Sequence, residues 1–100
     1  MKTKYKEIIK LKEMLEQAKI PFHFSEKNGG FHICYPRAGF FCICSVIEHD
    51  GSYGRNQDLL EIMGLMTKKE LKKTQDTVIG YLTADNVFKR IKRHYIKHCK

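Results

Sequence analysis

The segment that decides the fold is residues 22–48, FHFSEKNGGFHICYPRAGFFCICSVIE. Apolar and polar residues alternate on both sides of Asn28-Gly29, and these two residues accept the positive φ angles of a tight turn. This pattern is typical of a β-hairpin. After a second predicted turn at 36–39, the run Phe40–Glu48 is almost continuously apolar, which predicts a central strand covered on both faces. The segment therefore predicts a small antiparallel sheet.

Amphipathic helices are predicted on both sides of this segment. Residues 4–19 carry apolar side chains at helical spacing, with Thr3 as the N-cap and Pro21 ending the helix. Residues 84–98 repeat the pattern, with Thr83 as the N-cap. Both helices would bury one apolar face against the sheet.

The remaining residues predict shorter elements. Residues 59–65 read as a short helix, 67–77 as a lysine-rich connector with at most a helical turn, and 78–82 as a short strand. The predicted fold class is α+β: a small, mostly antiparallel sheet of three to four strands with the N-terminal and C-terminal helices packed on it.

Composition limits the domain organisation and the compartment. The chain has 100 residues, of which 42% are hydrophobic, so residues 1–100 are expected to form a single domain with one core. No apolar segment follows the basic N-terminus, and Cys42 and Cys44 are spaced as small buried residues on one strand face. We therefore expect a cytoplasmic protein with free thiols and no membrane association.

Net charge points to anionic partners. The chain carries 19 Lys and Arg against 11 Asp and Glu, a net charge of +8, with basic ends and a mildly acidic middle. A candidate nucleic-acid or anion patch lies on the last helix, opposite its apolar face, at Lys89, Arg90, Arg93 and Lys97. The alternative is a solvated face whose cations favour the negative end of the helix dipole.

A second candidate site is the polar loop that follows the predicted central strand. Its glycines allow close approach of a ligand, and it leads to a predicted helix N-terminus, where free N–H groups favour anions. The alternative is a connection whose polar groups satisfy their own backbone. The candidate ligand-binding residues in this loop are Glu48, His49, Ser52, Tyr53, Arg55 and Asn56.

Metal binding and catalysis are not predicted. His94 and His98 are four residues apart beside Cys99, but the surrounding lysines disfavour a cation and no second ligand pair has zinc-site spacing. Ser45 has no nucleophile-elbow glycines, so its proximity in sequence to His49 does not indicate a catalytic triad. We expect no cofactor and a binding protein, with a nucleotide-acting enzyme as the minor alternative.

Several segments resemble a family of small phage and prophage proteins of Firmicutes. They are CSVIEH at 44–49, GSYG at 51–54, DLLEIMGL at 58–65, VIGYLTA at 78–84 and VFKRI at 87–91. The resemblance covers nearly the whole chain and brings no established active site. Members of this family tend to be acidic where this chain has Lys68, Lys69, Lys72 and Lys73. Those lysines therefore do not support a family-wide DNA-binding role.

The resemblance implies a bacterial host cell and an accessory role against host defence. Such a protein would sequester an anionic nucleotide-type ligand or block a host defence protein. A nucleic-acid-binding or regulatory role for the C-terminal helix is the alternative. A 100-residue chain buries modest surface alone, and ligand sites often form between subunits, so a homo-oligomer is also an expectation.

Overall fold

The computed structural model describes residues 5–49, 58–74 and 77–98, so the predicted cap at Thr3 lies outside the described residues. None of the described helices combines the length and apolar character needed to cross a bilayer. The elements in chain order are α1 (Lys6–Gln17), β1 (His23–Lys27), β2 (Gly30–Tyr35), a 3-10 helix (Gly39–Phe41), β3 (Cys44–Glu48), β4 (Leu60–Met63), α2 (Lys68–Thr74), β5 (Val78–Leu82) and α3 (Ala84–His98).

The strands form one antiparallel sheet in the order β1-β2-β3-β4-β5, so each strand pairs with its neighbour in sequence. The α+β class and the antiparallel sheet are confirmed. The described part of the chain contains five strands, however, where the sequence predicts three to four. The prediction of a central strand is correct, because β3 is the middle strand of the sheet.

Helices α1 and α3 pack against each other over one face of the sheet and close a hydrophobic core. The predicted apolar faces of α1 and α3 enter this core, except that Ala18, predicted on the face of α1, is exposed. Ala84, which was not predicted on the face of α3, is buried in the core. The fully buried members from helices and strands together are Ile8, Leu11, Leu15, Ile33, Tyr35, Cys44, Val46, Leu60, Ile62, Ala84, Val87 and Ile91.

The β1–β2 hairpin forms as predicted. Lys27 pairs with Gly30, and the two residues between them have positive φ angles of 47° at Asn28 and 83° at Gly29. This is the geometry of a two-residue hairpin turn whose twist matches that of the strands. Gly30 also allows a close backbone approach, since a Cβ there would lie 2.6 Å from the Cα of His49.

The predicted helix at 59–65 is wrong, and this error accounts for the additional strand. Residues Leu60–Met63 form β4, which pairs with β3 on one side and β5 on the other. Leu60 and Ile62 are buried while Glu61 and Met63 are not, which is the alternation of a strand. The helix propensity of Leu, Glu and Met is a weak preference that pairing with two neighbouring strands overrides.

The predicted strand at Phe40–Glu48 is too long at its N-terminal end. Phe40 lies in the 3-10 helix with 96% of its surface exposed, and the strand begins only at Cys44. In β3, Cys44, Val46 and Glu48 are buried while Ser45 and Ile47 are partly exposed. In the described part of the chain, helices therefore cover one face of β3 and not both.

The C-terminal helix has the predicted bounds and the predicted cap. The Asn86 N–H donates to Thr83 Oγ1 over 3.2 Å, and the Glu7 carboxylate of α1 accepts from the Ala84 N–H. Two of the N–H groups at the start of α3 thus have side-chain acceptors.

Replacing Thr83 with alanine is expected to lower the free energy of unfolding by about 1 kcal/mol, since the Asn86 N–H loses its acceptor. Urea unfolding monitored by circular dichroism measures this change. Thr83→Ser is the matched control, because it keeps the hydroxyl. An equal loss in both variants would show that the methyl group matters and the cap does not.

Candidate functional site

The first two residues of the predicted loop site are buried. Glu48 ends β3 and has no exposed surface, and His49 is 6% exposed. The Glu48 Oε1 accepts a hydrogen bond of 3.0 Å from the Ile8 N–H in the first turn of α1. Glu48 is therefore an N-terminal cap for a helix that begins 42 residues earlier in the chain, with Lys6.

A carboxyl pair completes this cap. Asp58 Oδ1 accepts from the Glu7 N–H over 3.3 Å, while the buried Glu48 Oε2 meets no hydrogen-bond donor. Burial and the neighbouring Asp58 raise the pKa of Glu48 to about 9. Burial acts to raise the pKa of Asp58 as well, but hydrogen bonds from Glu48 and the backbone lower it overall. Glu48 is therefore protonated at neutral pH, and in the side-chain hydrogen bond between the two carboxyl groups it is the donor to the ionised Asp58.

The other loop residues of the predicted site, Ser52, Tyr53, Arg55 and Asn56, lie outside the described residues. The two that are described, Glu48 and His49, are withdrawn from solvent. The described residues thus give this end of the sheet a structural role in holding α1.

The second predicted site lies along a groove between α3 and the segment that joins β4 to α2. The groove has a volume of about 460 Å³. Its α3 residues recur at intervals of three and four, so they form one stripe along the helix. Its lining residues are Leu65, Met66 and Thr67 from the joining segment and Asn86, Lys89, Arg90, Arg93, His94, Lys97 and His98 from α3.

The groove is strongly basic. Lys89, Arg93 and Lys97 line it with exposed side chains. No acidic residue lines the groove in the part of the chain that the structure describes. Three cations that share one concave surface create a local positive potential that favours an anionic ligand.

Arg90, the fourth residue of the predicted patch, has a different role. Its Nη1 and Nη2 donate to the two carboxylate oxygens of Glu70 over 2.7 and 2.6 Å, and Nη1 also donates to the Leu65 carbonyl. These contacts lower the pKa of Glu70 to about 2. Arg90 therefore ties α3 to α2 and to the floor of the groove, and it is not a free surface cation.

Two histidines lie between the cations. The rings of His94 and His98 are 4.5 Å apart between centroids, and His94 Nδ1 forms a 2.8 Å hydrogen bond with the buried Tyr35 hydroxyl. Burial, followed by the charge of His98, lowers the pKa of His94, so this ring is neutral at pH 7. Among the described residues, no group of three or more ligands could hold a metal ion.

A polar cluster on the other face of the sheet was not predicted. His32 Nε2 lies 2.7 Å from Ser45 Oγ and 3.2 Å from Cys34 Sγ, because β2 pairs with β3 at these positions.

The described cysteines, Cys34, Cys42 and Cys44, form no disulfide, and burial raises the pKa of Cys42 and of Cys44 to about 12. The Cys42 and Cys44 thiols are protonated and therefore poor nucleophiles.

Comparison with known proteins gives no family assignment: no protein-family model, no curated protein and no solved structure matches the chain. The chain is thus defined by its fold, an α+β domain with a five-stranded antiparallel meander in its described part, and by the basic groove beside α3.

Proposed function

We propose that this protein binds an anionic, phosphate-bearing ligand of about nucleotide size in the groove beside α3. The observation that carries the proposal is the convergence of Lys89, Arg93 and Lys97 on one concave surface whose described lining contains no acidic residue. Lys and Arg side chains recognise phosphate through charge-assisted hydrogen bonds.

The size and the floor of the groove also fit such a ligand. Its volume of about 460 Å³ lies within the range of small-molecule sites, roughly 300–1,000 Å³. Leu65 and Met66 contribute apolar surface on the side facing α3. A base or sugar could pack on this surface while the phosphates engage the cations.

The biological setting remains a proposal that rests on the sequence resemblance. In a phage or prophage, sequestration of a nucleotide-type ligand would counter a host defence that signals with nucleotides. Blocking of a host defence protein, assembly into a homo-oligomer and cytoplasmic location are further parts of the same proposal. The groove favours ligand sequestration, because it is concave and basic.

The proposal is tested by calorimetric titration with ATP as the probe. Wild-type protein is expected to bind ATP. The triple variant Lys89→Ala, Arg93→Ala, Lys97→Ala is expected to bind about 10- to 150-fold more weakly, because the clustered phosphates of one nucleotide engage one or two of the cations and each lost charge-assisted bond contributes about 1.5 kcal/mol.

The matched control is Lys19→Ala, Lys27→Ala, Lys92→Ala, which removes the same charge from exposed lysines outside the groove. It is expected to change ATP affinity less than threefold. Equal weakening in both triple variants, or no ATP binding by the wild type, would overturn the proposal.

A further inference from the structure

The cations of the groove are regularly spaced along the helix. Lys89, Arg93 and Lys97 follow one another at intervals of four residues, and all three line the same groove. At a rise of about 1.5 Å per residue, successive cations lie about 6 Å apart along the axis and the three span about 12 Å. The groove itself continues from Asn86 to His98, which is about 18 Å of helix.

This spacing fits a chain of phosphates better than one phosphate group. The phosphates of a single nucleotide are clustered at one end and can engage one or two of the cations. In an extended single strand, neighbouring phosphates are separated by a distance of the same order as the cation spacing. A strand lying along α3 would therefore place one phosphate near each of Lys89, Arg93 and Lys97.

The histidines supply surfaces for the bases of such a strand. His94 and His98 line the same groove as the cations, and their rings are 4.5 Å apart between centroids. Tyr35 fixes the orientation of His94 through its hydroxyl. Histidine rings stack on unpaired bases, and proteins that bind single strands combine a positive groove with aromatic platforms of this kind.

From these features we infer that the groove binds a single-stranded nucleic-acid segment of about three or four nucleotides along α3. The inference rests on the proposed binding of phosphate by the groove cations, and it changes the ligand from one nucleotide to a short strand. Duplex nucleic acid fits less well for two reasons. Its bases are stacked on each other and cannot stack on the histidine rings, and the segment at 65–67, which forms the other wall of the groove, limits how close a duplex can come to α3.

The test is calorimetric titration with unlabelled thymidine oligonucleotides without terminal phosphates, whose charge does not change near neutral pH. A four-nucleotide strand is expected to bind at least tenfold more tightly than thymidine monophosphate. The logarithm of its affinity is expected to fall with the logarithm of salt concentration with a slope of about −2, as for three phosphate contacts.

Single variants sharpen the test. Arg93→Gln and Lys97→Gln are each expected to reduce the magnitude of the salt slope by about 0.7, while Lys92→Gln, on the same helix outside the groove, leaves it unchanged. His98→Ala is expected to weaken strand binding at least threefold without changing the slope, because it removes a stacking surface and no phosphate contact.

The outcomes separate the inference from the proposed function. If ATP binding depends on the groove cations but the strand binds no more tightly than the mononucleotide, the inference fails and the proposed function stands. Equal binding of a hairpin oligonucleotide, which presents the same phosphates in a stable duplex, also overturns the inference. If neither ATP nor the strand binds, both fail.

Discussion

Replacing Glu48 with glutamine is expected to raise the free energy of unfolding at pH 7 by about 2–3 kcal/mol. The buried carboxyl is protonated in the folded protein, because its pKa is raised from 4.5 to about 9, first by burial and then by Asp58. Glutamine reproduces the protonated acid: its oxygen can accept from the Ile8 N–H and its amide can donate to Asp58.

The sign follows from the two states of the chain. Between pH 4.5 and about 9 the folded state holds a proton on Glu48 that the unfolded state has lost. The contribution of the Glu48 proton to the free energy of unfolding is fully present below pH 4.5 and is lost progressively as the pH rises toward 9. Glutamine has no proton to lose, so the difference between the two proteins should be small at pH 5 and largest near pH 8.5.

Urea unfolding at pH 5, 7 and 8.5 measures this effect. The control is Glu48→Leu, which leaves the Ile8 N–H without its acceptor and is expected to be less stable than wild type at pH 5. If the Glu48→Gln variant shows the same pH dependence as wild type, Glu48 is ionised in the folded protein and the pairing with Asp58 is wrong.

The elements that the sequence predicts correctly are those set by local chemistry. Asn28-Gly29 takes the positive φ angles of a two-residue turn, and Thr83 caps α3 through the N–H of Asn86. Both depend on residues within a few positions of each other. A single sequence contains this information completely.

The errors concern contacts between distant parts of the chain. Leu60–Met63 becomes a strand because β3 and β5 lie on either side of it, and its residue types alone favour a helix. Glu48 follows an apolar run and therefore suggested a polar loop site. Its burial depends on the N-terminus of α1, 40 residues away, to which it hydrogen-bonds.

The basic patch on α3 was predicted correctly where it depends on local helical spacing and wrongly where it depends on a distant contact. Helical spacing placed Lys89, Arg93 and Lys97 on one face of α3, and the structure brings them into one groove. The same spacing placed Arg90 with them as a free cation. Its partner Glu70 is 20 residues away, in a segment predicted as a solvated connector, so nothing near Arg90 in sequence indicated the ion pair.

Replacing Glu70 with glutamine is expected to lower the free energy of unfolding at pH 7 by about 2–3 kcal/mol, because it leaves the Arg90 guanidinium partly buried without a counter-charge. The two side chains are only 16% and 23% exposed, and two short hydrogen bonds join them. Glu70 Oε1 also accepts from the Thr67 N–H over 2.9 Å, so the start of α2 depends on the same carboxylate.

The exposed ion pair between Lys10 and Asp85 is the matched control. Its atoms are 3.5 Å apart and its side chains are 52% and 62% exposed, so Asp85→Asn is expected to change stability by less than about 0.5 kcal/mol. In the wild type, the stability that the ionised Glu70 provides should be lost as the pH falls from 4.5 toward 2, because the hydrogen-bonded Arg90 lowers the pKa of Glu70 to about 2.

A double-mutant cycle separates the ion pair from the other contacts of its members. Glu70→Gln, Arg90→Met and the double variant are compared by urea unfolding, and a coupling free energy of about 2 kcal/mol is expected. A coupling energy no larger than that of the exposed pair would mean that α2 is held to α3 by other contacts. In that case the position of Leu65 and Met66 in the groove would not depend on Arg90, although the Arg90 guanidinium donates to the Leu65 carbonyl.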